Sequence, residues 1–203
     1  LMNFIPLRTE NYINHAYSAV MAGKTEESLY RCHAKLNRLA AELSGVRMRD
    51  MPEDWLHMPR DYELRMADGA EEAFQLHCKR MDEHRFTEAL EIADRIFAQN
   101  TEGPFPLQGD LLNNCVYLCL MEDKPAAGYK TSAWELLRSR NGGDLAALRT
   151  EYAMALLYGN DAEAARKIRL QFERVALRYP ALADVETERE LMELAAEKYR
   201  KEP

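Results

Sequence analysis

The chain has 203 residues, of which 47% are hydrophobic and 30% are charged, and its formal net charge is −7. This length and apolar content predict one domain with a single core, or a repeat array whose core runs along its length. Acidic and basic residues are well mixed and form no clustered basic face, which excludes nucleic acid as a partner. No apolar run approaches the roughly 18 uncharged residues that cross a bilayer, so we expect no membrane insertion by this fragment.

The N-terminal segment, residues 1–44, is predicted to contain a helical hairpin with helices over residues 10–22 and 26–44. Thr25 is placed to cap the second helix, and Gly45 is placed to end it. Apolar residues recur every third or fourth position along this helix and form one stripe. The stripe consists of Leu29, Cys32, Leu36, Leu39, Ala40 and Leu43.

Residues 45–67 form a connection that is long for a compact domain. Such a segment either has a function, packs as an ordered strap, or is loose. It contains Trp55 and four methionines, Met48, Met51, Met58 and Met66. Disordered segments are poor in such residues, so we expect an ordered strap.

From residue 68 to the C-terminus, helices are predicted in pairs, and the pairs repeat. A small residue stands near the start of each second helix, at Ala89, Ala127 and Ala164, with spacings of 38 and 37 residues. A period of this size with two helices per unit is typical of an α-solenoid. The small side chain lets the two helices of a hairpin approach closely.

Local signals set the ends of these helices. The sequence DEHR at residues 82–85 is predicted as a turn, and Asp144 and Asp161 are predicted as helix N-caps. The segment LLNNCVYLCLM, residues 111–121, is apolar nearly all round and is predicted to be a central helix. Residues 183–202 have one apolar side and suit a terminal capping helix.

The second-helix segment FTEALEIADRIF resembles the tetratricopeptide repeat family, with Phe86, Ala89 and Leu90 in matching positions. The likeness covers residues 68–179. The chain departs from the family pattern at His77, where the family has glycine, and no proline follows Gln99. The resemblance implies an all-α fold, an α-solenoid of antiparallel helical hairpins, with about nine helices including the C-terminal cap.

The same register implies a concave groove with a protein or peptide partner. The residues expected to face this groove are Phe74, Cys78, Met81, Leu112, Val116, Cys119, Arg149 and Leu156. Because an open apolar groove is costly in water, we expect the strap to cover it through Trp55, Met51 and Met58. The alternative is that the strap packs on the outside of a compact bundle that has no groove.

A second resemblance concerns the N-terminal residues NFIP and NHAY. Asn3 and Pro6 stand as in bacterial site-2-protease-type proteins, which are intramembrane zinc metallopeptidases followed by a soluble helical region. His15 and Ala16 replace the Asp-Gly pair of that family, and no HExxH motif occurs in the chain. The resemblance implies the soluble C-terminal part, or a stand-alone relative, of such a protein.

The histidines and cysteines are better explained as packed side chains than as metal ligands or catalytic groups. His77 and His84 would lie about 10 Å apart along one helix, too far to share a zinc ion. Cys115 and Cys119 have the spacing of two zinc ligands on one helix, but their apolar positions favour core thiols. No nucleophile elbow or phosphate-binding loop is present. We therefore expect no catalytic residue, no metal and no cofactor.

The function expected from these observations is protein–protein interaction or scaffolding in the cytoplasm, by an accessory region of a membrane metallopeptidase-like protein. Two alternatives remain open. One is a metal-binding protein or enzyme that uses cysteines and a histidine on the helices, namely Cys32, His33, Cys78, Cys115 and Cys119. The other is a structural dimerisation module.

Overall fold

The computed structural model describes residue 20 and residues 23–100, 107–130 and 144–201. These residues form seven α-helices and no strand, which confirms the all-α prediction. The helices are α1 (Glu26–Leu43), α2 (Ala67–Asp82), α3 (Phe86–Gln99), α4 (Gln108–Met121), α5 (Leu145–Ala153), α6 (Ala162–Ala176) and α7 (Leu182–Lys201). One π-helical turn, Met154–Tyr158, extends α5.

Helix ends follow the local chemistry of the sequence. The side chain of Thr25 accepts a hydrogen bond from the Ser28 amide at 3.0 Å, and Asp144 and Asp161 cap α5 and α6 in the same way. At the end of α1, Gly45 has a φ of 81°, a left-handed conformation that favours glycine. These predicted caps are confirmed.

The hairpin of α2 and α3 is built on small side chains. Ala73 of α2 and both Ala89 and Ala93 of α3 are fully buried, so the two helices approach closely. The turn between them has His84 at a φ of 60°. The predicted hairpin and its turn are confirmed.

Helix α4 is central, as its apolar sequence predicts. It packs against α3 and α5, and nearly every side chain from Leu111 to Cys119 is buried. Helix α7 packs against α5 and also contacts α4, where the Tyr117 hydroxyl donates to the Leu191 carbonyl at 2.8 Å. The C-terminal helix therefore lies on the core and buries Val185 and Met192.

The strap is ordered and is tied to α2. It contains two short 3₁₀ turns, Met48–Asp50 and Glu53–Trp55, and buries Met51, Leu56 and Leu64. The end of the strap passes close to Gly69 in the first turn of α2. Any side chain at this position would place its Cβ 2.1 Å from the Glu63 carbonyl oxygen. Only glycine allows the strap to pass this close to the start of α2.

The count of nine helices and the solenoid arrangement stay predictions. The helix expected over residues 10–22 lies outside the described residues, apart from Val20. The helix expected after Pro125 begins as a 3₁₀ turn, Ala126–Gly128, and its continuation over 131–143 lies outside them as well.

Candidate functional site

Helix α1 is attached to the rest of the described chain by its polar face. Ala34 and Arg38 are buried on this face. Arg31 donates to Glu63 at 2.9 Å and to Glu27 at 2.8 Å, and so links the helix to the strap. The contacts that hold α1 are therefore mainly ionic.

Further polar contacts fix the same helix against the strap. The Tyr30 hydroxyl lies 3.0 Å from both the carbonyl and the carboxylate of Asp54. Burial alone would raise the pKa of Glu63, but the Arg60 amide and the Arg31 guanidinium outweigh it and hold this pKa below its usual value. Glu63 is thus a charged anchor for α1 at neutral pH.

The apolar residues of α1 point away from this anchored face. With 100° of rotation per residue, the stripe lies on the side of the helix opposite Ala34 and Arg38. Its leucines are strongly exposed, at 60% for Leu29, 59% for Leu36, 51% for Leu39 and 82% for Leu43. We refer to Leu29, Cys32, Leu36, Leu39, Ala40 and Leu43 together as the α1 stripe.

This orientation reverses the usual amphipathic arrangement, in which a surface helix turns its apolar side to the core. Burying one leucine side chain is worth about 1.5–3 kcal/mol, so a row of exposed leucines forgoes a large stabilisation. Single exposed apolar residues are common, but a continuous stripe marks an interaction surface. The α1 stripe is therefore the candidate functional site.

A charged cluster joins the strap to α2 and α7. Arg47 is ion-paired with both Asp82 and Glu190. The Arg49 amide donates to Asp82 at 2.9 Å, and the Thr187 hydroxyl donates to it at 3.1 Å. The buried Asp82 carboxylate is fully partnered, so the cluster fastens the fold.

The strap is also held by Lys79, whose side chain is buried. Its Nζ donates to the carbonyl oxygens of Met48, Arg49 and Met51 at 3.1, 3.2 and 2.9 Å, and lies 3.0 Å from Glu83. One lysine thus donates to three strap carbonyls and ties this part of the strap to α2.

A pocket of about 260 Å³ lies between the end of α1, α2 and α7. Its lining includes the carboxylates of Glu42, Asp82, Asp184 and Glu188. Burial raises the pKa of Asp184, with a further contribution from the negative charge of Asp82. Burial also raises the pKa of Glu188, which its partner Arg149 opposes.

The pocket offers little for catalysis. Cys78 lines it, but burial raises the pKa of this thiol far above neutrality, so no thiolate forms. Three of the four carboxylates already have a cationic partner, namely Arg38 for Glu42, Arg47 for Asp82 and Arg149 for Glu188. These groups act as structural ion pairs.

The structure places most of the predicted groove residues inside the protein. Met81, Leu112, Val116, Cys119, Arg149 and Leu156 are buried, and Phe74 and Cys78 are partly buried. Only Cys78 and Met81 reach the pocket. Helix α7 contacts α4 and α5 on this side of the protein. Its Glu188 pairs with Arg149, and its Lys198 donates to the carbonyls of Leu120 and Met121. A role of the eight residues in partner binding stays a prediction.

The three residues predicted to cover the groove have different environments. Met51 is buried beside the end of α2, Met58 packs against the main core, and Trp55 is half-buried. The strap is thus integral to the fold, and its role as a groove cover stays a prediction.

Packing accounts for His77, Cys115 and Cys119. His77 Nδ1 lies 2.8 Å from the Ala89 carbonyl, and burial lowers the pKa of this imidazole to about 4. It is neutral at pH 7 and donates this bond. Cys115 and Cys119 are buried free thiols. Within the described ranges, no three metal-ligating side chains come together.

Three polar residues that fix the fold have no such role in the sequence-based prediction, which places Arg149 in the groove and does not single out Lys79 or Glu188. A signal was present, since Lys79 lies between Cys78 and Met81, and Arg149 lies in an apolar stripe. A charged residue at an inward-facing position predicts a buried partner, but spacing alone does not name that partner.

Comparisons with protein-family models, curated proteins and solved structures return no match for this chain. None of the helices in the described part is both long enough and apolar enough to span a membrane.

Proposed function

We propose that this chain is a non-catalytic protein–protein interaction or scaffold module, and that the α1 stripe binds an α-helix of a partner. The observation that carries the proposal is the row of exposed leucines on a helix whose opposite face is anchored by ion pairs. The polar anchors fix the orientation of α1 before a partner binds. Binding therefore costs little conformational entropy for ordering this helix.

The spacing of the stripe favours a helical partner. Leu29, Cys32, Leu36, Leu39 and Leu43 alternate at intervals of three and four residues. This is the a and d pattern of a two-helix seam, in which each side chain inserts between four residues of the facing helix. An extended peptide would meet only some of these positions.

The finer architecture belongs to the same proposal. A tetratricopeptide-like solenoid is supported by the packing of consecutive helices, α2 on α3 and α5 on α6. A place as the cytoplasmic accessory region of a membrane metallopeptidase-like protein is supported only by the N-terminal sequence around Asn3 and Pro6.

Site-specific photo-cross-linking in the native cell tests the binding function. A benzophenone amino acid at position 36 is expected to give a covalent adduct with a protein identified by mass spectrometry. The matched control carries the same probe at Leu177, which is 86% exposed but lies outside the stripe. Equal adduct yields at the two positions would overturn the proposal.

A further inference from the structure

The geometry of α1 also indicates which helix occupies the stripe. We infer that the occupant is a second copy of this chain, with the two α1 helices packed antiparallel about a two-fold axis. This inference rests on the proposed function of the stripe, and it adds the identity and direction of the partner.

Apolar layers and charge together select a register for such a pair. In an antiparallel seam each a residue faces a d residue of the other helix. When Leu36 faces Leu39 of the second copy, Cys32 faces Leu43. This register buries Leu36, Leu39 and Leu43 of both copies, and Leu29 lies at the edge of the seam, beyond the end of the other α1 at Leu43.

Charge supports the same register. Lys35 and Glu42 stand at the g positions beside the seam, and their side chains are 58% and 36% exposed. In this antiparallel register Lys35 of each copy lies opposite Glu42 of the other, which gives two ion pairs across the seam. A shift by one heptad places Lys35 opposite Lys35 in one direction and Glu42 opposite Glu42 in the other, and in both cases the like charges repel.

A parallel pair lacks these advantages. It would set Lys35 beside Ala40 of the second copy, with no charge to match. It would also bring the first-turn carboxylates Glu26 and Glu27 of both copies together. Antiparallel helices avoid this repulsion and oppose their dipoles.

The seam is short, so the association is reversible. The stripe covers two heptads, and interfaces of this small size belong to the transient class. The inward face of α1 already holds the helix in place through Arg31, so pairing does not require helix formation. We expect a monomer–dimer equilibrium in roughly the micromolar range.

Sedimentation of the full chain over about a hundredfold range of concentration tests the pairing. The wild type is expected to shift from monomer to dimer. Leu36→Glu is expected to weaken dimerisation at least about tenfold, because it places carboxylates in the central layer. Leu177→Glu, the matched surface control, is expected to leave it unchanged.

Charge exchange tests the direction. Lys35→Glu and Glu42→Lys are each expected to weaken dimerisation, while the double variant restores it because both cross-seam pairs re-form with exchanged charges. Each substitution also removes an ion pair within the chain, either Lys35 with Glu71 or Glu42 with Arg38. Melting temperatures of all three variants separate the rescue of dimerisation from the loss of these pairs. A double variant that is folded but does not regain dimerisation would overturn the antiparallel register.

A disulfide gives an independent reading of the register. Under oxidation, Leu43→Cys is expected to yield a covalent dimer through the native Cys32 of the second copy, and adding Cys32→Ser is expected to abolish it. A parallel pair would keep the cross-link in the double variant and would contradict the inference.

The outcomes separate this inference from the proposed function. A monomer at every concentration, with adducts to a different protein at position 36, would overturn self-association and keep the docking role of the stripe. Adducts between position 36 and residues 1–22 of the same chain would overturn both.

Discussion

Arg149 Nε lies 3.1 Å from Glu188 Oε2 and joins α5 to α7 inside the protein. The Arg149 side chain is fully buried, its Nη2 donates to Asn114 at 2.7 Å, and its guanidinium lies over the Tyr117 ring. This contact links the central helix, the fifth helix and the C-terminal helix. Removing one member would leave a buried charge without its partner.

We therefore predict that Arg149→Met lowers the free energy of unfolding by about 3 kcal/mol, as for other broken buried ion pairs. Urea denaturation monitored by circular dichroism measures this. The matched control is Lys167→Met, since Lys167 and Glu163 form an exposed pair on α6 and its loss is worth less than about 1 kcal/mol. Similar losses in the two variants would contradict the structural role of Arg149.

His77 makes the stability depend on pH. Its pKa is lowered by burial from 6.5 to about 4, so the unfolded chain binds a proton more readily than the folded protein. The stabilisation is complete above about pH 6.5 and is lost as the pH falls towards 4. The loss amounts to about 3 kcal/mol over this window.

His77→Asn, whose amide can still donate to the Ala89 carbonyl, is predicted to flatten this dependence. The unfolding free energies of wild type and variant are compared by urea denaturation at pH values across the window. Because both proteins share all the carboxyl groups, their difference isolates the imidazole. Parallel curves would show that His77 binds protons equally in the folded and unfolded states and would contradict the lowered pKa.

Lys79→Met is predicted to loosen the strap. The variant keeps the aliphatic stem but leaves the carbonyls of Met48, Arg49 and Met51 without their shared donor, at a cost of about 1–3 kcal/mol. Hydrogen exchange in residues 45–66 is expected to quicken. The control is Lys167→Met on α6, whose side chain is 74% exposed. Unchanged strap exchange in the Lys79 variant would mean that other contacts hold the segment.

Gly69→Ala is predicted to destabilise the start of α2 by about 2 kcal/mol, because its Cβ would meet the Glu63 carbonyl oxygen at 2.1 Å. Gly128→Ala is the matched control, since nothing lies within 4 Å of the Cβ built there. Thermal unfolding of both variants measures the difference. A Gly69 variant as stable as the Gly128 variant would show that the strap approaches α2 less closely.

Much of the fold follows from local sequence signals. Thr25, Asp144 and Asp161 cap helices because a short polar side chain before an apolar periodic segment satisfies the first free amides. The central position of α4 follows from its apolar surface, and the α2–α3 hairpin follows from its alanines. These features depend on neighbours in sequence.

The direction of α1 does not follow from such signals. Periodicity reveals that Leu29, Leu36 and Leu43 share a face, but it does not reveal what that face meets. Ion pairs between residues far apart in sequence, such as Arg31 with Glu63, turn the polar side inward. Six of the eight predicted groove residues are buried, because helices far apart in sequence, such as α5 and α7, pack together, which a helix period cannot foresee.

The central claim is that α1 presents its leucines to solvent until a partner covers them. Hydroxyl-radical footprinting with mass spectrometry measures this directly, by comparing oxidation of Leu36 and Leu43 in dilute protein and in the dimer or complex. The account predicts strong oxidation of both in dilute protein and protection on binding, while Leu177 is oxidised equally in both states. Protection of Leu36 and Leu43 in the dilute monomer would contradict it.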